Sequence, residues 1–114
     1  MTEPAKNIPN WDAQSEHPEL CDQVREALRS VRDPEIGMDL IQLGLVRNVS
    51  LGNGKLRIEM ILTTPYCPYA PMLMESARRQ AETATNYPTE VVYGKEIWDQ
   101  SMMEDGTTLD WGLF

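Results

Sequence analysis

The chain has 114 residues, 41% of them apolar and 25% charged, the composition of one soluble globular domain with a modest core. Its 18 acids against 10 bases leave a net charge of −8, which repels phosphate backbones and excludes nucleic acid as an expected partner. No apolar run approaches the roughly 20 residues that span a bilayer, and the N-terminus lacks a secretory core, so the chain reads as cytoplasmic with no membrane partner.

Residues 1–16 mix Pro4, Asn7, Pro9 and Asn10 with scattered charges and no periodicity, which predicts a flexible arm. Trp11 stands out there as an indole able to dock on the domain or on a partner. From Pro18 onward Leu20, Val24, Ala27, Leu28 and Val31 recur at spacings of three and four, the stripe of an amphipathic helix. Pro18 suits the first turn, and Arg25, Arg29 and Arg32 suit the negative end of the helix dipole. "RDPEIG" then breaks the helix, because Pro34 disfavours the helical conformation at Asp33 and Gly37 permits an unusual backbone angle.

"MDLIQLGLV" is a compact apolar connection that enters a strand near Val46. "VRNVSL" and "KLRIEMIL" flank "GNG", a hairpin signal. Leu56, Ile58, Met60 and Leu62 alternate with Lys55, Arg57, Glu59 and Ile61, so one face is expected to be buried. "PMLMESARRQAETA" has helical spacing through Leu73, Ala77, Ala81 and Ala84, "NYP" stops it, and "TEVVYGKEIWDQ" reads as a third strand bent at Gly94. The last residues, 101–114, form an acidic tail ending in the apolar "LDWGLF". The pattern predicts a single small α+β domain over residues 17–100, in the order helix–strand–strand–helix–strand, with two helices packed on a small sheet.

Few residues carry chemistry. His17, the only histidine, sits at the start of the first helix, a capping or solvated position without a second histidine to support catalysis. Cys21 and Cys67 are expected as free thiols, Cys21 in packing or at the surface of the first helix. Cys67 lies in "TTPYCPYAP" between a buried strand and the second helix. That helix starts at Pro68, with Cys67 as its N-cap, or at Pro71, with the thiol one short loop earlier. Either way unpaired N–H groups and the positive dipole end favour a thiolate. Pro65, Pro68 and Pro71 stiffen the loop, and the hydroxyls of Thr63 and Thr64 can donate to sulfur or to an anion. The competing reading is a small buried cysteine. Asp33 and Glu35, one residue apart on a constrained turn, can share a cation or a proton; they can equally be solvated acids at a helix end.

"VRDPEIGMDLIQLGLVRNV" followed by "IEMILTTPYCPYAPML" resembles the MIP18-like domain, also called the DUF59 or SufT/PaaD-type domain, over about residues 20 to 98. The resemblance implies a small α+β fold and a part in iron–sulfur cluster assembly and maturation, with no catalytic role. Carried over by position, the family's cysteine matches Cys67, its acidic turn Asp33 and Glu35, and its threonine Thr64. "EIWDQSMMEDGTTLDWGLF" keeps Trp98 and Met102 but lacks the paired prolines of many members. No cysteine-rich tail suggests a structural zinc site, and no fused ATPase domain suggests the larger nucleotide-dependent carrier.

A cluster takes about four ligands, more than one Cys67 supplies. The resemblance therefore implies transient binding of an iron–sulfur cluster or iron, shared between two chains of a homodimer that contribute a thiolate each, with carboxylates or a small thiol completing the sites. In that reading Cys67 is the metal ligand, oriented by Thr64, while Asp33 and Glu35 tune its charge, accept a proton or contact iron. The expected partners are iron–sulfur scaffold and recipient proteins. An alternative is a cofactor-free adaptor that docks them through its acidic surface, with Trp11 and "LDWGLF" as anchors. Thiol-redox chemistry at Cys67 is a third reading, without an evident resolving cysteine.

Overall fold

A computed structural model of the chain describes residues 11–34, 36–63 and 68–103. The first helix, α1 (Pro18–Leu28), has Pro18 in its first turn and buries Leu20, Cys21, Val24 and Leu28. Cys21 joins the predicted stripe, while Ala27 at its margin is half-buried. The helix ends before Val31, whose N–H reaches the Leu28 carbonyl at 3.1 Å in a turn. A single helical turn, α2 (Leu40–Leu43), follows within the apolar connection. Asp39 caps it, its Oδ1 accepting from the N–H groups of Ile41 at 2.9 Å and Gln42 at 2.8 Å. The Asp39 N–H in turn donates to Gln42 Oε1 at 3.1 Å, a complete capping box.

The strands β1 (Val46–Gly52) and β2 (Lys55–Met60) form the predicted hairpin. Asn53 and Gly54 have φ of 55° and 73°, the positive pair that a type I′ turn requires. The helix α3 (Ala70–Thr85) carries the chain to β3 (Thr89–Tyr93), which lies parallel to β2. The sheet order is β1-β2-β3. The α+β order read from the sequence is therefore present, with α2 added and the third strand ending before Gly94.

Leu56, Ile58 and Met60 point to one face, where Val49 and Val91 stand beside Ile58, and α1 and α3 pack against each other there. The opposite face carries Ser50, Arg57, Glu59, Glu90 and Val92. Ile61 departs from the expected alternation and is 1% exposed. The strand has ended by then, and the Ile61 N–H turns to the Leu45 carbonyl at 2.8 Å.

The packed unit extends past both ends of the span 17–100. Trp11 and Ala13 are buried before it, and Met102 and Met103 after it. Trp11 is fixed by its indole N–H on the Val46 carbonyl and by the Arg25 guanidinium 4.4 Å from its ring centre. No helix among the described residues is long and apolar enough to cross a membrane.

Candidate functional site

Asp33 begins a closed loop after α1. Its N–H donates to the Met38 carbonyl at 2.9 Å, its own carbonyl accepts from Gly37 at 2.7 Å, and its Oδ1 accepts from the Ile36 N–H at 3.3 Å. Gly37 supplies the positive φ of 82° that closes the loop, and Arg32 Nη1 donates to its carbonyl at 3.0 Å. At the neck, Arg32 and Asp39 form an isolated antiparallel bridge, and the Leu40 N–H meets the Val31 carbonyl at 3.0 Å. Asp33 is 2% exposed, so the reading of a solvated acid at a helix end does not hold for it. Glu35, Thr64 and Cys67 lie outside the described residues, so Asp33 alone of the four predicted site residues has a described environment.

The loop that carries Cys67 is framed on both sides. Leu62 is buried and Thr63 half-buried before it; Pro68 and Tyr69 are exposed after it. α3 begins at Ala70 with Tyr69 at the N-cap and Pro71 in the first turn. Cys67 is therefore not the N-cap residue. Tyr69 makes no side-chain cap hydrogen bond to the amino end of α3.

Both segments are rooted in "LGLV", Leu43–Val46, where each successive carbonyl accepts from a different part of the chain. Leu43 accepts from Trp98 Nε1 at 2.6 Å, Gly44 from Arg47 Nη1 at 3.2 Å, Leu45 from the Ile61 N–H at 2.8 Å, and Val46 from Trp11 Nε1 at 3.3 Å. The Leu45 bond ties in the start of the Cys67 loop. The Leu45 N–H, bonded to the Leu40 carbonyl at 3.0 Å, leads back to the neck of the Asp33 loop.

Arg47 is the positioning group that sequence reasoning missed. The register of β1 against β2 shifts between Val46 and Asn48, a bulge that turns the Arg47 side chain inward until it is 3% exposed. Its Nε and Nη2 grip the two carboxylate oxygens of Glu96, each at 3.1 Å. The segment after β3 is thereby laid across the sheet end toward α2. Gly44 and the Asp39–Gln42 box had legible signals in a glycine closing an apolar turn and in the pattern D-x-x-Q. Arg47 has none in "VRNV".

Cys21 is fully buried beneath α1. Burial pushes its thiol up from the usual cysteine range; Arg25 pulls it down and Asp22 adds to the rise. It is held as a neutral thiol in packing, the first of the two positions expected for it. Among the described residues no group of three or more His, Cys, Asp or Glu is placed to hold a metal.

The comparisons converge. A family model described as "Iron-sulfur cluster assembly protein" matches residues 21–91, from α1 to β3. A Porphyromonas gingivalis protein named Fe-S protein maturation auxiliary factor is 33% identical over 90 residues, which cover 75% of this chain and 85% of the relative. An iron-sulfur cluster carrier protein of Synechocystis is 34% identical over 62 residues, 54% of this chain but 18% of that longer protein. A DUF59 domain of Bacillus anthracis superposes with a TM-score of 0.75 at 25% identity, covering 90% of this chain and all of that one.

Proposed function

This chain belongs to the iron–sulfur cluster assembly protein family, and we propose that it acts in maturation as a transient carrier that holds a cluster or iron at Cys67. The observation that carries the reading is the family match over residues 21–91, which takes in the Asp33 loop, "LGLV" and the Cys67 loop together. The names of the relatives describe maturation and carrying, not a catalysed conversion.

The chain's own residues limit how the cargo is held. The sequence has two cysteines, and Cys21 is withdrawn from the donor count by its burial and raised pKa. One thiolate is left, against about four donors for a cluster. The remaining thiolate donors come from outside the chain: from a second copy, from a scaffold or recipient protein, or from a small thiol. Cargo held so sparsely is easily passed on, which suits a carrier. The amino end of α3, which begins three positions after Cys67 in sequence, favours the thiolate through its N–H groups and dipole. Thr64 orients the sulfur, and Asp33 and Glu35 adjust the charge at the cargo or take up the thiol proton.

Anaerobic reconstitution with iron and sulfide tests this. Visible absorption is expected in the wild type and lost in Cys67→Ser, with folding unchanged by circular dichroism. A wild type that stays colourless, yet binds scaffold or recipient proteins, would instead establish the cofactor-free adaptor.

A further inference from the structure

The sheet has two edges, and the chain treats them differently. The amino-terminal segment lies over the start of the β1 edge: Trp11 bonds the Val46 carbonyl, and Asp12 and Asn48 exchange two bonds of 2.9 Å. Among the described residues nothing comparable lies along β3. After Gly94 the chain leaves across the sheet end, where Glu96 meets Arg47 and Trp98 meets Leu43.

The free groups on β3 can be assigned. Its ladder to β2 ends in the Leu56 N–H on the Pro88 carbonyl and the Gly94 N–H on the Met60 carbonyl, both 2.8 Å. Peptide groups alternate sides along a strand, so those of Thr89, Val91 and Tyr93 point away from β2. The Thr89 N–H is taken by Glu82 Oε1 at 3.0 Å. No such bond engages the N–H or carbonyl of Val91 or Tyr93 among the described residues. The strand reads Thr-Glu-Val-Val-Tyr, all strand formers save Glu90, which is 3.8 Å from Lys55. It has none of the proline, lysine or bulge that normally blunts an open edge.

We propose that β3 pairs antiparallel with β3 of a second copy about a two-fold axis at Val91, making one sheet continuous through both copies. The free groups set the register. Val91 exchanges both backbone bonds with Val91 of the second copy, and each Tyr93 N–H meets the opposing Thr89 carbonyl. The side chains agree, since Tyr93 faces Thr89 and Glu90 faces Val92, with no like charges opposed. Centring on Glu90 sets two carboxylates against each other, and centring on Val92 leaves the Thr89 carbonyl opposite Lys95, beyond the strand. The edge complements itself, which selects a second copy over an unrelated segment. In this dimer the carboxyl ends of the two β2 strands lie at opposite ends of the joined sheet.

Sedimentation of the full chain over a dilution series tests the pairing, with two variants on the open sheet face. Val92→Glu sets a second acid against Glu90 at both symmetric positions and is expected to weaken the dimer roughly tenfold; Val92→Lys should tighten it by a similar factor. In the wild type, the amides of Val91 and Tyr93 should be protected from exchange at high concentration and released on dilution, with the Val92 amide protected throughout. A chain monomeric at every concentration overturns the proposal, as does a dimer that the two variants do not shift in opposite directions. Protection of Val91 and Tyr93 in a monomer also overturns it, since a segment of the same chain then covers the edge.

Discussion

The carbonyl of Met102 occupies the place where Gly44 would carry a side chain, so a Cβ at Gly44 would overlap the Met102 oxygen. The same residue has φ of 72° and ends α2 in the left-handed conformation. Gly44→Ala therefore meets two obstacles, backbone strain and the loss of the Met102 seat. It should cost roughly 3 kcal/mol in urea unfolding. Loss of the native Trp98 fluorescence before the main transition would show the 98–103 segment lifting first; an unchanged midpoint would refute the close approach.

Arg47 holds the same region by charge. Arg47→Met keeps the buried stem but leaves the Gly44 carbonyl without its guanidinium donor and Glu96 without its fork. Because Glu96 is half-exposed and can return to water, a loss of about 2 kcal/mol is expected, below that of a fully buried pair. Arg47→Lys should recover only part of it, since an ammonium cannot grip both carboxylate oxygens in a plane. Equal stability of the lysine variant and the wild type would assign the arginine to packing alone.

The two thiols should differ in chemistry. Cys21, neutral and buried, is expected to react with a thiol reagent roughly a thousandfold more slowly than the unfolded chain, at a rate set by global opening. Cysteine labelling followed by peptide mapping reads it directly. Labelling of Cys21 at the unfolded rate under native conditions would return it to the pool of donors for cargo.

Acid should loosen the carboxyl-terminal segment. Asp99 is held below the usual 3.8 by the Ser101 hydroxyl and then by the Ser101 N–H at 2.8 Å, with a smaller contribution from Arg47. A lowered carboxyl pKa adds stability that is complete above the unfolded value and lost as pH falls through the folded one. The Ser101 amide resonance should thus titrate with its midpoint below 3.8. A midpoint at or above that value would mean that Asp99 does not cap the turn in solution.

What was legible in the sequence is what depends on near neighbours. The alternation of Leu56, Ile58 and Met60 and the "GNG" turn name β2 and its hairpin because a period of two and positive φ are local properties. The single turn α2 is too short to show a period. The burial of Arg47 depends on Glu96, 49 positions away, and on a bulge that no residue type announces. At the candidate site, "DPEIG" is readable as a turn, but the burial of Asp33 follows from backbone bonds to Gly37 and Met38 that only the closed loop reveals.

The bonds on "LGLV" also bear on how the protein is made. Trp98 stands 55 positions after Leu43, and Trp11 stands 35 before Val46. A chain emerging from the ribosome can form the β1–β2 hairpin early, since its residues are adjacent. It cannot satisfy the Leu43 carbonyl until nearly the whole domain has left the exit tunnel. Nascent chains truncated before Trp98 should therefore remain open to protease at the α2–β1 corner, and emergence of Trp98 from the tunnel is the step that locks it.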